Sequence, residues 1–421
     1  MKDDGKTLDY INDKNLNFEI SGNIKYGLHK TIINAIRRTL LTNIETVAFN
    51  PEDIIIETNN SALHNEFMKH RISLMPLSIN PTNYNRDLLF VLNVKNTENP
   101  VQSIYSSDFE IYRLKNEYQQ EIYEQGNSIP DEDNIFTKLE KVSKDYYDLL
   151  NPLSDKEKKD IFNPFEFPKN NFNYFLLTEL KLTGSETDFQ ELDLYCVPSI
   201  GTSKIHSRFN NLSTVTYSFT KNEEDFKQYL EDSVKISKLK KQDEKEAFSK
   251  SLRLKESERY YHKDITNEAY VYNFTVSSNH YYDSKTLYLQ SFDILMERLT
   301  HIMENLKTMV SEPENSLFSY DRFKGDTTYQ IIMFKEDDTT GNMIQAHMVN
   351  KFIDGTSLVQ VCGYKKPHPL TELIIFNIMI NPNDYTELQK KARIADYFTN
   401  TCKDLIDILD IMKREGSKRL G

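Results

Sequence analysis

Two stretches of this chain repeat apolar residues on a heptad, and that pattern limits the fold more than any other feature. In the first, Phe292, Met296, Leu299, Met303, Leu306 and Val310 follow in steps of 4, 3, 4, 3 and 4. In the second, Ala395, Phe398, Cys402, Leu405, Leu409 and Met412 step 3, 4, 3, 4 and 3. A period of 3.5 keeps one seam of an α-helix turned toward a partner, so each stretch predicts a long helix with a surface to cover. Burying such a seam yields roughly 1.5–3 kcal/mol per side chain. That gross figure is an upper bound, because the unfolded chain already hides part of the surface. Two seams in one chain most simply pack against each other.

The segments before each seam follow one plan. LNFEISGNI, 16–24, alternates apolar and polar residues and predicts a strand. GLHKTIINAIRRTLL predicts a helix with Leu28, Ile32, Ala35, Ile36, Thr39 and Leu40 on one face and Asn34, Arg37 and Arg38 on another. VAF and DIIIE predict strands on either side of Pro51, and the turn at 58–60 leads to a helix within ALHNEFMKHRISLMPL, 62–77. Asn60 or Ser61 would cap it, Leu63, Phe67, His70 and Leu74 recur along it, and Pro76 ends it. LLFVLNV, IYSSDFEI, FLLTELKL, ELDLYCV, STVTYSF and YVYNFTV add strands. Residues 117–171, acidic and full of turn residues, predict a surface insertion with one short helix, and 223–258 a charged helical, solvated face. After an apparent joint at 311–326 the plan repeats: strand YQIIMF, a capped helix in DDTTGNMIQAHMVNKF, strands SLVQVCGY and ELIIFNIMI, then the second heptad helix. The expected fold is α+β, with two pseudo-symmetric halves.

Composition narrows the function. A net charge of −12 and a pI of about 5.4 give no counterion-release attraction to nucleic acid. No apolar run reaches the length of about 18 residues that a membrane helix needs, and the polar start MKDDGKTLDYINDKN has no signal-peptide core, so a soluble intracellular protein is expected. Cys196, Cys362 and Cys402 stand far apart without a C-x-x-C, which predicts buried free thiols. Phosphate-binding glycine loops, a nucleophile elbow and H-E-x-x-H are all missing.

His64, Glu66 and His70 invite a zinc reading, a metal-dependent hydrolase or deaminase. On a helix, however, His64 and Glu66 lie about 200° apart around the axis. Glu66 and His70 share a face but fall one ligand short of a catalytic zinc site, and the P-C-x-x-C of zinc deaminases is lacking. These residues, with Arg71, are therefore expected to form a structural polar helix with a Glu66–His70 pairing, and no cofactor is expected. Asp337 and Asp338 sit at a helix start, where the dipole and capping favour carboxylates. His29, His206 and His347 read as structural or surface groups. Two features stay open: Arg37 and Arg38 are either a solvated pair or a docking face, and SIGTSKIHSRFNN, 199–211, is either a connection or a docking loop. A heptad-driven dimerisation protein is a further reading.

Longer motifs carry a resemblance. NAIRRTLLTNIETVAF, ALHNEFMKHRISLMPL, NPVQSIYSSDFEI, ELDLYCVPSIGTSKIHSRFNNLSTVTY and YVYNFTVSSNHYYDSKTLYLQSFDILMERL, in that order, resemble the large α-like subunits of multisubunit RNA polymerases. That family holds the third subunit of polymerase II, the archaeal D subunit and, more distantly, bacterial α. FKEDDTTGNMIQAHMVNKF and VQVCGYKKPHPLTELIIFNIMI resemble the small α-like subunits, the eleventh of polymerase II and archaeal L. The resemblance implies a fused pair. Residues 1–49 and 206–312 would form the dimerisation module of the large half, 50–205 an inserted β-rich domain, and 313–421 the small half. It implies intrachain pairing through Ile32, Ala35, Ile36, Ile344 and Met348 together with Phe292, Met296, Leu299, Met303, Leu306, Phe398, Cys402, Leu405 and Leu409. It also implies docking of the second-largest polymerase subunit on Asn34, Arg37, Arg38, His206, Arg208 and Phe209. Small zinc-bearing subunits and, within the complex, the largest subunit would be further partners. Catalysis belongs to the two largest subunits in that family, and no D-x-D-x-D occurs here, so a non-catalytic assembly platform is expected. Fusion and the missing cysteine cluster of many third subunits resemble polymerases of large cytoplasmic DNA viruses. That implies the infected cell's cytoplasm and the virion as its location, or otherwise the nucleus or cytoplasm with the polymerase.

Overall fold

The computed structural model describes residues 15–23, 27–115, 150–163, 165–167, 171–182, 189–237, 239, 241–278, 283–322, 328–351, 353, 357–381 and 385–420. In chain order they form β1 (Asn15–Ser21), α1 (Lys30–Thr42), β2 (Glu45–Asn59), α2 (Asn65–Ser73), β3 (Leu88–Lys95), β4 (Val101–Tyr105), β5 (Glu110–Leu114) and β6 (Leu150–Pro152). Then come α3 (Asp155–Phe162), β7 (Phe165–Phe167), β8 (Asn171–Asn173), β9 (Leu176–Lys181), β10 (Glu191–Thr202), β11 (Leu212–Phe219), α4 (Glu223–Ile236) and α5 (Gln242–Glu256). The rest are β12 (Val271–Ser278), α6 (Ser284–Ser311), β13 (Phe318–Arg322), β14 (Thr328–Phe334), α7 (Asp338–Lys351), β15 (Val359–Lys365), β16 (Leu373–Ile380) and α8 (Glu387–Arg419). The fold is α+β, with antiparallel sheets and eight α-helices among the described residues.

Contacts divide the chain into two compact units. The larger draws on Met1–Asn43, Leu212–Ser278 and Asp283–Gly421, so the two parts expected of the large half and the expected small half fall in one unit. Within it two halves have the same topology. β1, α1, β11, β12 and α6 build a sheet of order β1-β12-β11, and β14, α7, β15, β16 and α8 build one of order β14-β16-β15, with β13 added on its edge. Burial follows the same register. Thr31, Ala35 and Ile36 of α1 match Thr339, Met343 and Ile344 of α7, while Leu295, Leu299 and Ile302 of α6 match Phe398, Cys402 and Leu405 of α8. Strand alternation explains β1: Leu16, Phe18 and Ile20 turn inward, while Asn15, Asn17, Glu19 and Ser21 are exposed. The expected joint, 311–326, is in part regular structure, and its residues 323–326 lie outside the described residues. α6 runs to Ser311, and β13 pairs with β14 from Phe318–Met333 to Arg322–Tyr329. α4 and α5 bury only Phe226 and Leu230, as a charged solvated pair of helices must.

The smaller unit contains Ile44–Asn211. Its sheet, of order β2-β10-β3-β5-β6, carries a core in which the Phe90 ring meets those of Phe49, Phe109 and Phe162. The insert therefore starts before residue 50, because β2 pairs with β10 from Glu45–Thr202 onward. β2 also runs through Pro51 as one strand: it pairs Phe49 with Pro198 and Ile54 with Cys196, so residues between them bulge at the proline, which has no N–H for the ladder. Residues 116–149, most of the expected acidic insertion, lie outside the described residues. The described remainder is not wholly a surface insertion, since Leu150, Leu153, Ile161 and Phe162 are buried. α3 is the short helix there, with Ser154 and Glu157 forming a capping box.

Candidate functional site

The surface that unites the two halves is the best-defined candidate. α6 packs against α8, α1 against α7, and each short helix against the long helix of its own half. Phe398, Cys402, Leu405 and Leu409 are fully buried, as are Phe292, Leu299 and Leu306. Met296, Met303 and Val310 are only half-buried; the interior positions are Leu295, Ile302 and Met309 instead. Both sets keep heptad spacing, and spacing alone does not show which of two adjacent stripes lies deeper. Ile32, Ala35, Ile36, Ile344 and Met348 are buried in α1 and α7. Gly341 lets α7 approach β15, because a Cβ there would stand 2.8 Å from the Tyr364 ring. The thiols of Cys362 and Cys402, pushed up by burial to about 12, stay protonated, so these cysteines act as apolar filling.

Polar groups punctuate this apolar surface. Arg298 of α6 reaches the start of α7, its Nη2 2.8 Å from Glu336 Oε2 and 3.3 Å from Asp337 Oδ1. Its Nε donates to the same Glu336 oxygen at 2.9 Å, and Thr340 Oγ1 donates there at 2.7 Å. Burial pushes the Glu336 carboxyl up, against the opposing pull of Arg298 and Thr340. For Asp337 burial also pushes upward, but Arg298 and the Thr339 hydrogen bonds prevail and hold it below the usual range. Lys413 Nζ lies 2.5 Å from Asp293 Oδ1, linking α8 to α6. None of these cross-half pairs followed from the spacing of apolar residues. The one available signal was Arg298 beside Leu299 in a seam helix.

The docking residues separate on inspection. Arg37 Nε donates to Asn34 Oδ1 at 3.0 Å, within the same helix. Arg38 does not lie on a face the scaffold leaves unused, because its Nε donates to Thr339 Oγ1 of the other half at 2.8 Å. In the smaller unit, Phe209 is buried against Gly201, where a Cβ would meet its ring at 2.6 Å, so it serves the core rather than an outer surface. Arg208 Nη1 donates to the Phe49 carbonyl at 3.1 Å and braces the β2 bulge. His206 is exposed, and its Nδ1 accepts from Arg208 N–H.

The His64–Arg71 helix departs from expectation in three ways. His64 itself is the N-cap, its Nδ1 accepting from Glu66 N–H at 3.4 Å, in place of Asn60 or Ser61. The buried face is Met68, Ile72 and Met75, whereas Phe67 and Leu74 are 68% and 56% exposed. Glu66 and His70 form no ion pair among the described residues, and Arg71 Nη2 instead donates to the Leu176 carbonyl at 2.6 Å. Among the described residues no group of three or more His, Cys, Asp or Glu side chains is arranged to hold a metal, and no helix is long and apolar enough to cross a membrane.

With the geometry in place, comparison with known proteins locates the second half. Residues 328–415 match the RNA polymerase Rpb3/Rpb11 dimerisation domain. The match spans β14, α7, β15, β16 and most of α8, the elements that build one half of the seam. The chain is also similar to DNA-directed RNA polymerase subunit Rpo3 of Methanocaldococcus jannaschii, 36% identical over 75 residues. That alignment covers 18% of this chain and 36% of the relative, so the chain spans little more than a third of the relative's length.

Two histidines of the larger unit should make it sensitive to acid. His29 caps α1 by accepting from Thr31 N–H on Nδ1, a role only the unprotonated ring can fill. Burial lowers its pKa most, Lys30 and His347 add to this, and Glu268 and Asp264 oppose. His347, bonded to Asp404 at 3.1 Å, is likewise lowered chiefly by burial despite that carboxylate. Both folded values lie below the unfolded value, so the stabilisation is full above the unfolded pKa and is lost as pH falls below it and through the folded value. Stability should decline between about pH 7.5 and 5.5, by at most about 1.4 kcal/mol per pH unit for each histidine. His29→Asn keeps a capping acceptor without titrating, and melting followed across that range should show a shallower slope. An unchanged slope would place the sensitivity elsewhere.

Proposed function

We propose that this chain is a non-catalytic assembly subunit of a multisubunit DNA-directed RNA polymerase, with a large and a small α-like half fused and paired within one polypeptide. One observation carries the reading: the segment matching the Rpb3/Rpb11 dimerisation domain packs, like helix against like helix, on a half of the same topology earlier in the chain. The similarity to Rpo3 supports it. On this reading the second-largest subunit docks on the platform, small zinc-bearing subunits and the largest subunit join the complex, and the chain itself needs no metal. The fusion favours a source among large cytoplasmic DNA viruses, hence the infected cell's cytoplasm and the virion. Purification from the native source tests the core of the proposal. Co-elution with the two largest polymerase subunits is expected, and a chain that elutes free of them would overturn it.

Docking has a sharper test. Arg37 is half-exposed and, among the described residues, bonded only within its own helix, so Arg37→Glu should leave the fold intact, within about 1 kcal/mol for a largely solvated charge. It should nevertheless abolish capture of the second-largest subunit, because Arg presents a rigid fork to carboxylates or carbonyls at an interface. Arg38→Glu is no substitute, since it also breaks the bond to Thr339 and sets a carboxylate near Asp337. A normally melting Arg37→Glu chain that still captures the subunit would return Arg37 to a solvated role.

A further inference from the structure

The apolar seam does not say which halves should pair. The two halves share topology and burial register, so a first half could in principle pair with the first half of another copy, and a second with a second. The charged groups break this equivalence. On the matched register, Arg298 of α6 stands where α8 has Thr401, which is buried and donates its hydroxyl to the Tyr397 carbonyl. Glu336 and Asp337, just before α7, stand where the segment before α1 has Leu28 and His29. Leu28 is buried, and His29 already uses Nδ1 as the α1 cap.

We propose that Arg298, with Glu336 and Asp337, is the specificity lock that makes unlike halves pair and keeps copies of this chain from joining through like halves. Pairing two first halves would set Arg298, a side chain only 16% exposed, against Leu28 and His29, which carry no carboxylate; of the acidic groups near His29, Glu268 already pairs with Lys30 and Asp264 with the Thr266 hydroxyl. Pairing two second halves would leave the Glu336 carboxylate, 5% exposed, against Thr401. A buried charge without its counterpart is strongly disfavoured, whereas the unlike arrangement closes the pair. Selectivity thus comes from penalising the wrong partner as much as from rewarding the right one. The inference concerns pairing within the chain and stands whether or not the polymerase reading does.

The test uses the full chain with two different tags. Arg298→Glu alone opposes two carboxylates within one molecule, and Glu336→Arg alone opposes two cations. Co-expressed, the two variants complement in trans: Glu at 298 of one chain meets Arg at 336 of the other, and the untouched Arg298 and Glu336 also meet. Recovery of a one-to-one complex at twice the single-chain mass by light scattering is expected. Two differently tagged wild-type chains should not co-purify, and the double variant Arg298→Glu with Glu336→Arg should return to single-chain mass. Failure of the two variants to co-purify, whether they stay single or are insoluble together, overturns the proposal. Wild-type or double-variant copies that associate to the same extent also overturn it.

Discussion

Leu405→Asp is expected to lower the melting midpoint of the larger unit by at least about 8 °C. Leu405 is fully buried on α8 between Cys402 and Leu409, on the helix that packs along α6. Truncating a buried leucine alone costs about 2–5 kcal/mol, and a carboxylate forced into an apolar seam adds its own desolvation. A total of at least about 4 kcal/mol translates at roughly 2–4 °C per kcal/mol for a unit of this size. Leu405→Met, which conserves volume, should cost under about 1.5 kcal/mol. Limited proteolysis provides a second readout. The exposed stretch Glu312–Asn315 lies between α6 and β13, so a cut there spares both elements. Nicked wild-type halves should co-elute and nicked Leu405→Asp halves should separate. Wild-type halves that part after nicking would show that the seam does not hold them.

Arg298→Leu is expected to cost about 3–5 kcal/mol near neutral pH, because it leaves Glu336 buried without its cation. The sign of its pH dependence is diagnostic. Burial already raises the folded-state pKa of Glu336, and losing Arg298 removes an opposing pull, so it rises further. The folded variant then holds a proton that the unfolded chain releases. Its relative stability is greatest below the unfolded carboxylate pKa and is lost as pH rises through the folded value. Denaturant melts at about pH 5 and pH 8 should therefore show a smaller difference from wild type at the lower pH. Glu336→Gln, which removes the charge while keeping an acceptor, should be milder than Arg298→Leu at pH 8. Equal losses at both pH values would mean that Glu336 is not the group left exposed to the apolar interior.

The sequence revealed those parts of the fold that depend on local periodicity. Heptads in α6 and α8 and alternation in β1 are written residue by residue, since a helix or strand must turn apolar groups to one side to leave water. The polar loop at 199–211 also stood out, although not its logic: Phe209 packs inward on Gly201, while Arg208 ties down a bulge in a strand 159 residues earlier. In α2 the period was legible but its phase was wrong. Phe67 and Leu74 share a helical stripe, yet Met68, Ile72 and Met75 face the core, and helical spacing cannot rank two stripes when both contain large apolar residues.

By itself, then, the sequence determined the α+β class, the repeated plan of strand, short helix, two strands and long helix, and the presence of two seams requiring cover. These follow from free energies that each segment expresses alone: side-chain periodicity, capping and turn chemistry. Only the tertiary structure decided that the seams cover each other, that Arg38 spends its guanidinium on Thr339 rather than on an open face, and that Arg298 meets Glu336 and Asp337. Those outcomes rest on groups distant in sequence meeting where water is excluded. There a charge is tolerated only beside its counterpart, and no local pattern names the counterpart.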